Sequence, residues 1–160
     1  MRIIPFTKNH YQTLINWVKE PETLFLFAGI GFAYPLTPEQ LDQYIADYPD
    51  RKLYLGIDDD QMPCAYGEII PQGEHSARLG HLIVGESQNR GKGVGQLFIK
   101  TLNEFAVHQF QIKDMDLFVI EDNMPAINCY LKSGFKFTPN NFTITHEEKC
   151  YQILKMTLPL

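Results

Sequence analysis

The sequence predicts an α/β (α+β) domain built on a mixed sheet, and three observations carry that prediction. Leu79-Gly80-His81-Leu82-Ile83-Val84 is apolar except at Gly80 and His81, as a strand buried on both faces would be. The glycine-rich turn Arg90-Gly91-Lys92-Gly93-Val94-Gly95 follows. Beyond it Val94, Leu97, Phe98, Thr101, Leu102, Phe105 and Ala106 recur at helical spacing along one face. Around this strand–turn–helix unit lie a β-hairpin on one side and a further strand and helix on the other, an order that belongs to mixed sheets. With 44% apolar content, 160 residues suffice for one domain over 1–160 with a real core.

Each element has its own signals. Arg2 to Phe6 reads as a short first strand. Asn9 can cap a helix that places Tyr11, Leu14, Ile15 and Val18 on one side, with Trp17 alongside and Pro21 as its stop. Leu24–Pro35 is aromatic and glycine-containing without a clear period, so it reads as a connection, either packed hydrophobically or facing a substrate. Thr37-Pro38-Glu39-Gln40 is a capping box with proline at the first helical position, opening a helix through Tyr48. Lys52–Ile57 and Met62–Ile70 form a hairpin whose Asp58–Gln61 tip lacks the spacing and distal glutamate of a calcium loop. Asp114–Ile120 is another buried strand. Glu121-Asp122-Asn123 then leads into a helix carrying Ala126, Ile127, Tyr130 and Leu131, stopped at Ser133-Gly134. Phe135–Phe137 and Lys149–Leu158 close the sheet around a polar loop, Asn140–Glu148.

The glycine turn is where chemistry is expected. The first turn of a helix has backbone N–H groups with no partner inside the helix, and glycines let a ligand approach them. With the helix dipole and the charges of Arg90 and Lys92, the turn can seat a phosphate or pyrophosphate; it can equally serve close packing of helix on strand. No Gly-x-x-x-x-Gly-Lys-Ser/Thr string is present, and the dinucleotide fingerprint counted from Gly91 puts Gln96 where glycine is required. A net charge of −5 and a pI near 5.5 argue against nucleic acid or an anionic membrane as partner, and suit a cationic substrate such as an amine. Cys64, Cys129 and Cys150 are an odd number without a Cys-x-x-Cys pair, as expected of reduced, mostly buried thiols in a cytoplasmic protein. The N-terminus has no extended apolar segment, so neither a signal peptide nor a membrane span is expected. No metal site is expected either.

The second half resembles a known family. Arg90, Gly93 and Gly95 match the Arg/Gln-x-x-Gly-x-Gly/Ala signature of the GNAT acetyltransferases. About thirty residues on, Asn123 through Phe135 is similar to the same family's Asn-x-x-Ala-x-x-x-Tyr-x-x-x-Gly-Phe segment. Trp17-Val18-x-x-Pro21-Glu22 and Pro35-Leu36-Thr37 are similar to its ribosomal-protein and small-amine branches. One departure is the stretch between Val84 and Arg90: five residues without proline, where the usual form is shorter.

The resemblance implies a mixed sheet of about six to seven strands flanked by about four helices, with a splay between the Leu79–Val84 and Met115–Ile120 strands. It implies acetyl-CoA as acetyl donor, its pyrophosphate on the amides of Gly91, Lys92, Gly93, Val94 and Gly95 and assisted by Arg90. The pantetheine arm would pair with the free backbone of Leu82–Val84, as a peptide adds to a sheet edge. Asn123 would touch the cofactor from the far side. Acetyl transfer to an amine needs a deprotonated nucleophile, a polarised carbonyl and a proton for the leaving thiolate. Tyr130 matches the family tyrosine that donates this proton. His81, read as lying on the same side as Leu79 and Ile83, and Glu68, with a pKa raised by burial, are the candidate bases, with a water relay as the third case. The acceptor is expected to be a small amine and the protein a monomer or homodimer. The competing readings are a protein N-terminal or lysine acetyltransferase, with Leu24–Pro35 shaping an open groove, and a non-catalytic acyl-CoA-binding regulator.

Overall fold

The computed structural model describes residues 1–86 and 90–160. The chain runs β1 (Arg2–Pro5), α1 (Tyr11–Trp17), α2 (Pro21–Ala28), α3 (Pro38–Asp47), β2 (Lys52–Ile57), β3 (Pro63–Pro71), β4 (Ser76–Val84), α4 (Val94–Phe110), β5 (Asp114–Ile120), α5 (Met124–Lys132), β6 (Lys136–Phe137), β7 (Phe142–His146) and β8 (Lys149–Pro159). All eight strands join one sheet in the order β1-β2-β3-β4-β5-β8-β6, with β7 also on β8. Among the described residues only β4 and β5 run parallel; every other pair is antiparallel.

The sheet has one strand more than expected and the molecule one helix more, each for a definable reason. α1 already ends at Trp17, where Val18 leaves helical geometry (φ −102°, ψ 75°), and Pro21 is instead the first residue of α2, behind an extended Glu20 (φ −142°). Leu24, Phe25, Phe27 and Ala28 of α2 are all buried, so the segment lacks the polar face that would have marked it as a helix. It is not the connection read from Leu24 to Pro35; only 29–35 is irregular, and the Gln40 amide ties that stretch to α3 through Ala33 and Pro35. The additional strand, β7, lies inside the polar Asn140–Glu148 stretch, where it is zipped onto β8. Asn9 is not a cap. Thr7 precedes a single 3-10 turn, Lys8–His10, and its N–H donates to His10 Nδ1 at 3.0 Å. Thr37 caps α3 as expected, accepting from the Gln40 N–H at 3.3 Å, but the other half of the capping box is not made, because the Gln40 side chain turns to Ala33 and Pro35 instead.

Two cores sit on opposite faces of the sheet. On one, α4 and α5 cover Ala65, Leu79, Leu117, Val119 and Met156. On the other, α1, α2 and α3 cover Leu55, Ile57, Tyr66 and Ile83 with an aromatic-rich layer that includes Phe6, Trp17 and Phe27. The β3–β4 ladder changes register between Tyr66 and Glu68, so that His81 and Leu82 together stand opposite Gly67. This bulge puts His81 in the left-handed region at φ 45°. It also reverses the side-chain alternation. Leu79 faces the α4 core while Ile83 faces the other one, so His81 does not share a side with both.

The β4–β5 pairing runs from Ser76 opposite Asp114 to Leu79 opposite Leu117 and goes no further. Beyond it the two strands part, and Gly80–Val84 is laddered to β3 alone. The expected splay is present.

Candidate active site

The parted strands open a cleft of about 560 Å³ whose walls come from both halves of the chain. Leu82, Ile83 and Val84 form one wall. Arg90, Gly91, Gly93 and Gly95 form its end, and Asn123, Ala126 and Tyr130 of α5 form the opposite wall. Past the bulge, the β5-facing edge of β4 carries amide and carbonyl groups that no strand uses, which is the condition for accepting an extended ligand.

The glycine turn is built for close approach. Gly91 (φ +76°) and Gly93 (φ +82°) are left-handed, and a Cβ on either would meet nothing within 4 Å, so open space lies above their backbone. Gly93 is the residue before the first turn of α4, which points the free N–H groups of that turn into the same space. Gly95 serves packing instead: a Cβ there would stand 3.2 Å from Cys129 Sγ and 3.4 Å from Val84. Arg90 is exposed, and its Nε donates to the Val84 carbonyl at 3.4 Å, which brings its charge over the mouth of the strand gap. Lys92 and Val94 do not line the cleft. Of the loop that departs in length from the family pattern, Ser87, Gln88 and Asn89 lie outside the described residues.

Asn123 caps α5, its Oδ1 accepting from the Ala126 N–H at 3.4 Å, and also lines the cleft. Tyr130 lines it too while remaining 9% exposed. Burial, aided by the neighbouring Cys129, raises its hydroxyl well above the usual phenol range, so the proton stays on at neutral pH. A second, more open cleft of about 700 Å³ shares Gly93, Gln96, Ile99 and Lys132 with the first and continues along α4 past Lys100. The sequence offered no motif for Gln96, Lys100, Asn128 or Lys132; helical spacing from Gly93 is the only signal that placed Gln96 and Lys100 on a shared side.

Glu68 and His81 come together, but behind the cleft wall rather than on it. Glu68 is fully buried, and its carboxylate accepts from Tyr44 Oη at 2.7 Å and Tyr66 Oη at 2.8 Å, with His81 Nδ1 at 2.9 Å. The His81 ring lies among Tyr44, Phe27 and Phe32, at 5.4, 5.6 and 5.8 Å between ring centres. Phe27 belongs to both this aromatic shell and the cleft wall. Contrary to expectation, the Glu68 carboxyl titrates below its ordinary range. Burial pushes it up, but the charge that His81 carries once protonated and hydrogen bonds from His81, Tyr44 and Tyr66 outweigh that. A carboxylate so stabilised holds its charge and grips its partners. It is a poor base.

The thiols are more varied than expected: Cys64 is buried, Cys129 half-buried beside the cleft, and Cys150 exposed. Among the described residues no cluster of three or more His, Cys, Asp or Glu could hold a metal ion, and no helix is long and apolar enough to cross a membrane.

The family model described as "Acetyltransferase (GNAT) family" matches residues 11–135. Among solved structures, spermidine N-acetyltransferase from Vibrio cholerae in complex with CoA and spermine superposes with a TM-score of 0.79 at 13% identity, over 98% of this chain and 94% of that one. Ribosomal-protein-alanine N-acetyltransferase from Brucella melitensis gives 0.77 at 16% identity over 100% of both chains. AAC(6')-Ib, solved with acetyl-CoA, gives 0.78 at 16% identity, over 99% of this chain and 92% of that one. At such identities the likeness speaks for the fold.

Proposed function

The chain belongs to the GNAT acetyltransferase family, and from that premise we propose that its 160 residues form one domain transferring an acetyl group from acetyl-CoA to a small primary amine, both bound at once. The observation that carries the reading is the single cleft that joins the unpaired edge of β4, the open glycine turn and the Tyr130 wall. Acetyl-CoA supplies an acetyl group activated as a thioester.

The chain's own residues would do the rest. The amides of the Gly91–Gly95 turn and the Arg90 guanidinium bind the pyrophosphate, with Lys100 and Lys132 along the adjoining cleft toward the nucleotide end. The free backbone of Leu82–Val84 pairs with the pantetheine amides and offers an N–H to the carbonyl under attack. Tyr130 holds a proton at its hydroxyl for the departing sulfur. His81 is the base and Glu68 its positioning partner. With Nδ1 engaged by the carboxylate, Nε2 is the ring nitrogen left to take a proton, and because His81 stands behind the cleft wall a water would carry that proton from the ammonium.

A small amine fits better than a polypeptide acceptor. The balance of charge is acidic, at −5. Phe25 also anchors α2 against Ile120 of β5 and Ile153 of β8, a contact that favours a short acceptor over an extended chain.

The test is calorimetric titration with acetyl-CoA, CoA and ATP, followed by thiol-release assays over a set of amines. Micromolar acetyl-CoA binding with weak ATP binding is expected, and absence of acetyl-CoA binding refutes the reading. Tyr130→Phe is expected to lower kcat about 100-fold with cofactor affinity unchanged; full turnover removes its role as acid.

A further inference from the structure

A buried carboxylate needs a counter-charge, and beside Glu68 there are two candidates: the imidazole of His81 and the guanidinium of Arg51. If His81 alone balanced Glu68, it would be held as imidazolium and could accept no proton. Arg51 lies on the connection between α3 and β2. Its Nη1 stands 3.6 Å from Glu68 Oε2 and donates to the hydroxyl of Tyr44, which in turn donates to that same Oε2. The guanidinium is fixed rather than loose. It rests on the rings of Tyr48, at 4.1 Å, and Tyr44, at 5.1 Å, and its side chain is only 23% exposed.

We infer that Arg51 is the resting counter-charge of Glu68, relayed through Tyr44, and that it thereby leaves His81 neutral and able to take a proton at Nε2. The two carboxylate oxygens divide the work. Oε2 takes Tyr44 and Arg51, while Oε1 takes Tyr66 and His81 Nδ1. Among the described residues, the titratable and charged groups facing His81 are therefore Tyr44 from α3, Glu68 and Tyr66 from β3, and Arg51 beyond Tyr44. From α2 and the stretch after it come only Phe27 and Phe32. Arg51 touches neither the cleft nor the reacting atoms. It is a positioning residue that acts on the charge state of another side chain.

The catalytic consequence rests on His81 being the base, but the charge assignment does not, so the two can be separated. The measurement is a proton NMR titration of the imidazole C–H resonances, with His81 identified among the five histidines by its loss in His81→Gln. Arg51→Met keeps the stem that packs on Tyr48 and deletes the charge; Arg51→Gln is the second variant should the first fail to fold. With Arg51 neutralised, the His81 midpoint is expected to rise by about one pH unit, because Glu68 must then take its counter-charge from the imidazole. Arg51→Lys is expected to restore it most of the way. The acid limb of kcat/KM for an amine acceptor should rise in parallel. An unmoved His81 midpoint in both neutral variants overturns the inference. A midpoint that rises while the acid limb stays put upholds Arg51 as counter-charge and removes His81 as base.

Discussion

The two faces of the sheet are packed by different rules. The face under α4 and α5 is mainly an aliphatic interior, and the groups proposed to bind ligand beside it are backbone: the unpaired edge of β4 and the amides of the glycine turn. The face under α1, α2 and α3 is rich in aromatic rings, and its interior encloses a carboxylate, two phenols, an imidazole and a guanidinium that satisfy one another. Backbone groups are available wherever a strand loses its partner, whatever the side chains. A buried side-chain network holds only if every member is present. The first face should therefore fail locally and gently, and the second globally and steeply.

The sharpest way to break that contrast is Glu68→Ala. It leaves the Tyr44 and Tyr66 hydroxyls and the Arg51 charge without their acceptor, and a loss of about 3–5 kcal/mol is expected in denaturant unfolding; a loss below about 1 kcal/mol would show that the network carries little. The same group sets an acid dependence. Because the folded carboxyl titrates below its unfolded value, its contribution is complete above about pH 5 and drains away as pH falls from the ordinary carboxylate range down through the lower folded value. Glu68→Gln should flatten the stability profile in that window. Next in size, Gly93→Asp puts a side chain at a left-handed position and a negative charge on the phosphate seat. Acetyl-CoA affinity should fall about 100-fold while unfolding stability changes by only about 1 kcal/mol. Equal damage to stability and affinity would mean that the turn is structural. The smallest effect belongs to the surface. Lys100 and Glu104 form an exposed pair at 3.8 Å on α4, and Glu104→Ala should shift stability by no more than about 0.5 kcal/mol.

The same contrast explains what could be read in advance. The α4 side is legible because the roles proposed for it need particular residues at fixed spacing: glycine where φ is positive, an Asn at the start of α5, a Tyr further along the same helix. Strand limits at Lys52–Ile57 and Asp114–Ile120 followed from hydrophobic runs bounded by turn residues. The other face withheld more. A helix as uniformly apolar as α2 has no period to detect. The strand β7 exists because β8 lies beside it, not because Phe142–His146 demands it. His81 and Glu68 could each be suspected, but their meeting depends on a register change between Tyr66 and Glu68 that leaves no mark in composition. Arg51 gave no signal at all, since a lone arginine between a helix and a strand is ordinary.

That register change has a consequence for anyone who recombines this chain with its relatives. One supernumerary residue in β4 acts as a parity switch: upstream of it odd-numbered positions look toward α4, and downstream even-numbered ones do. A crossover placed within β4 that drops the extra residue would join two correct halves out of phase, turning Leu82 and Ile83 inside out. Chimeras should exchange β3 and β4 as one cassette, cut in the turns on either side.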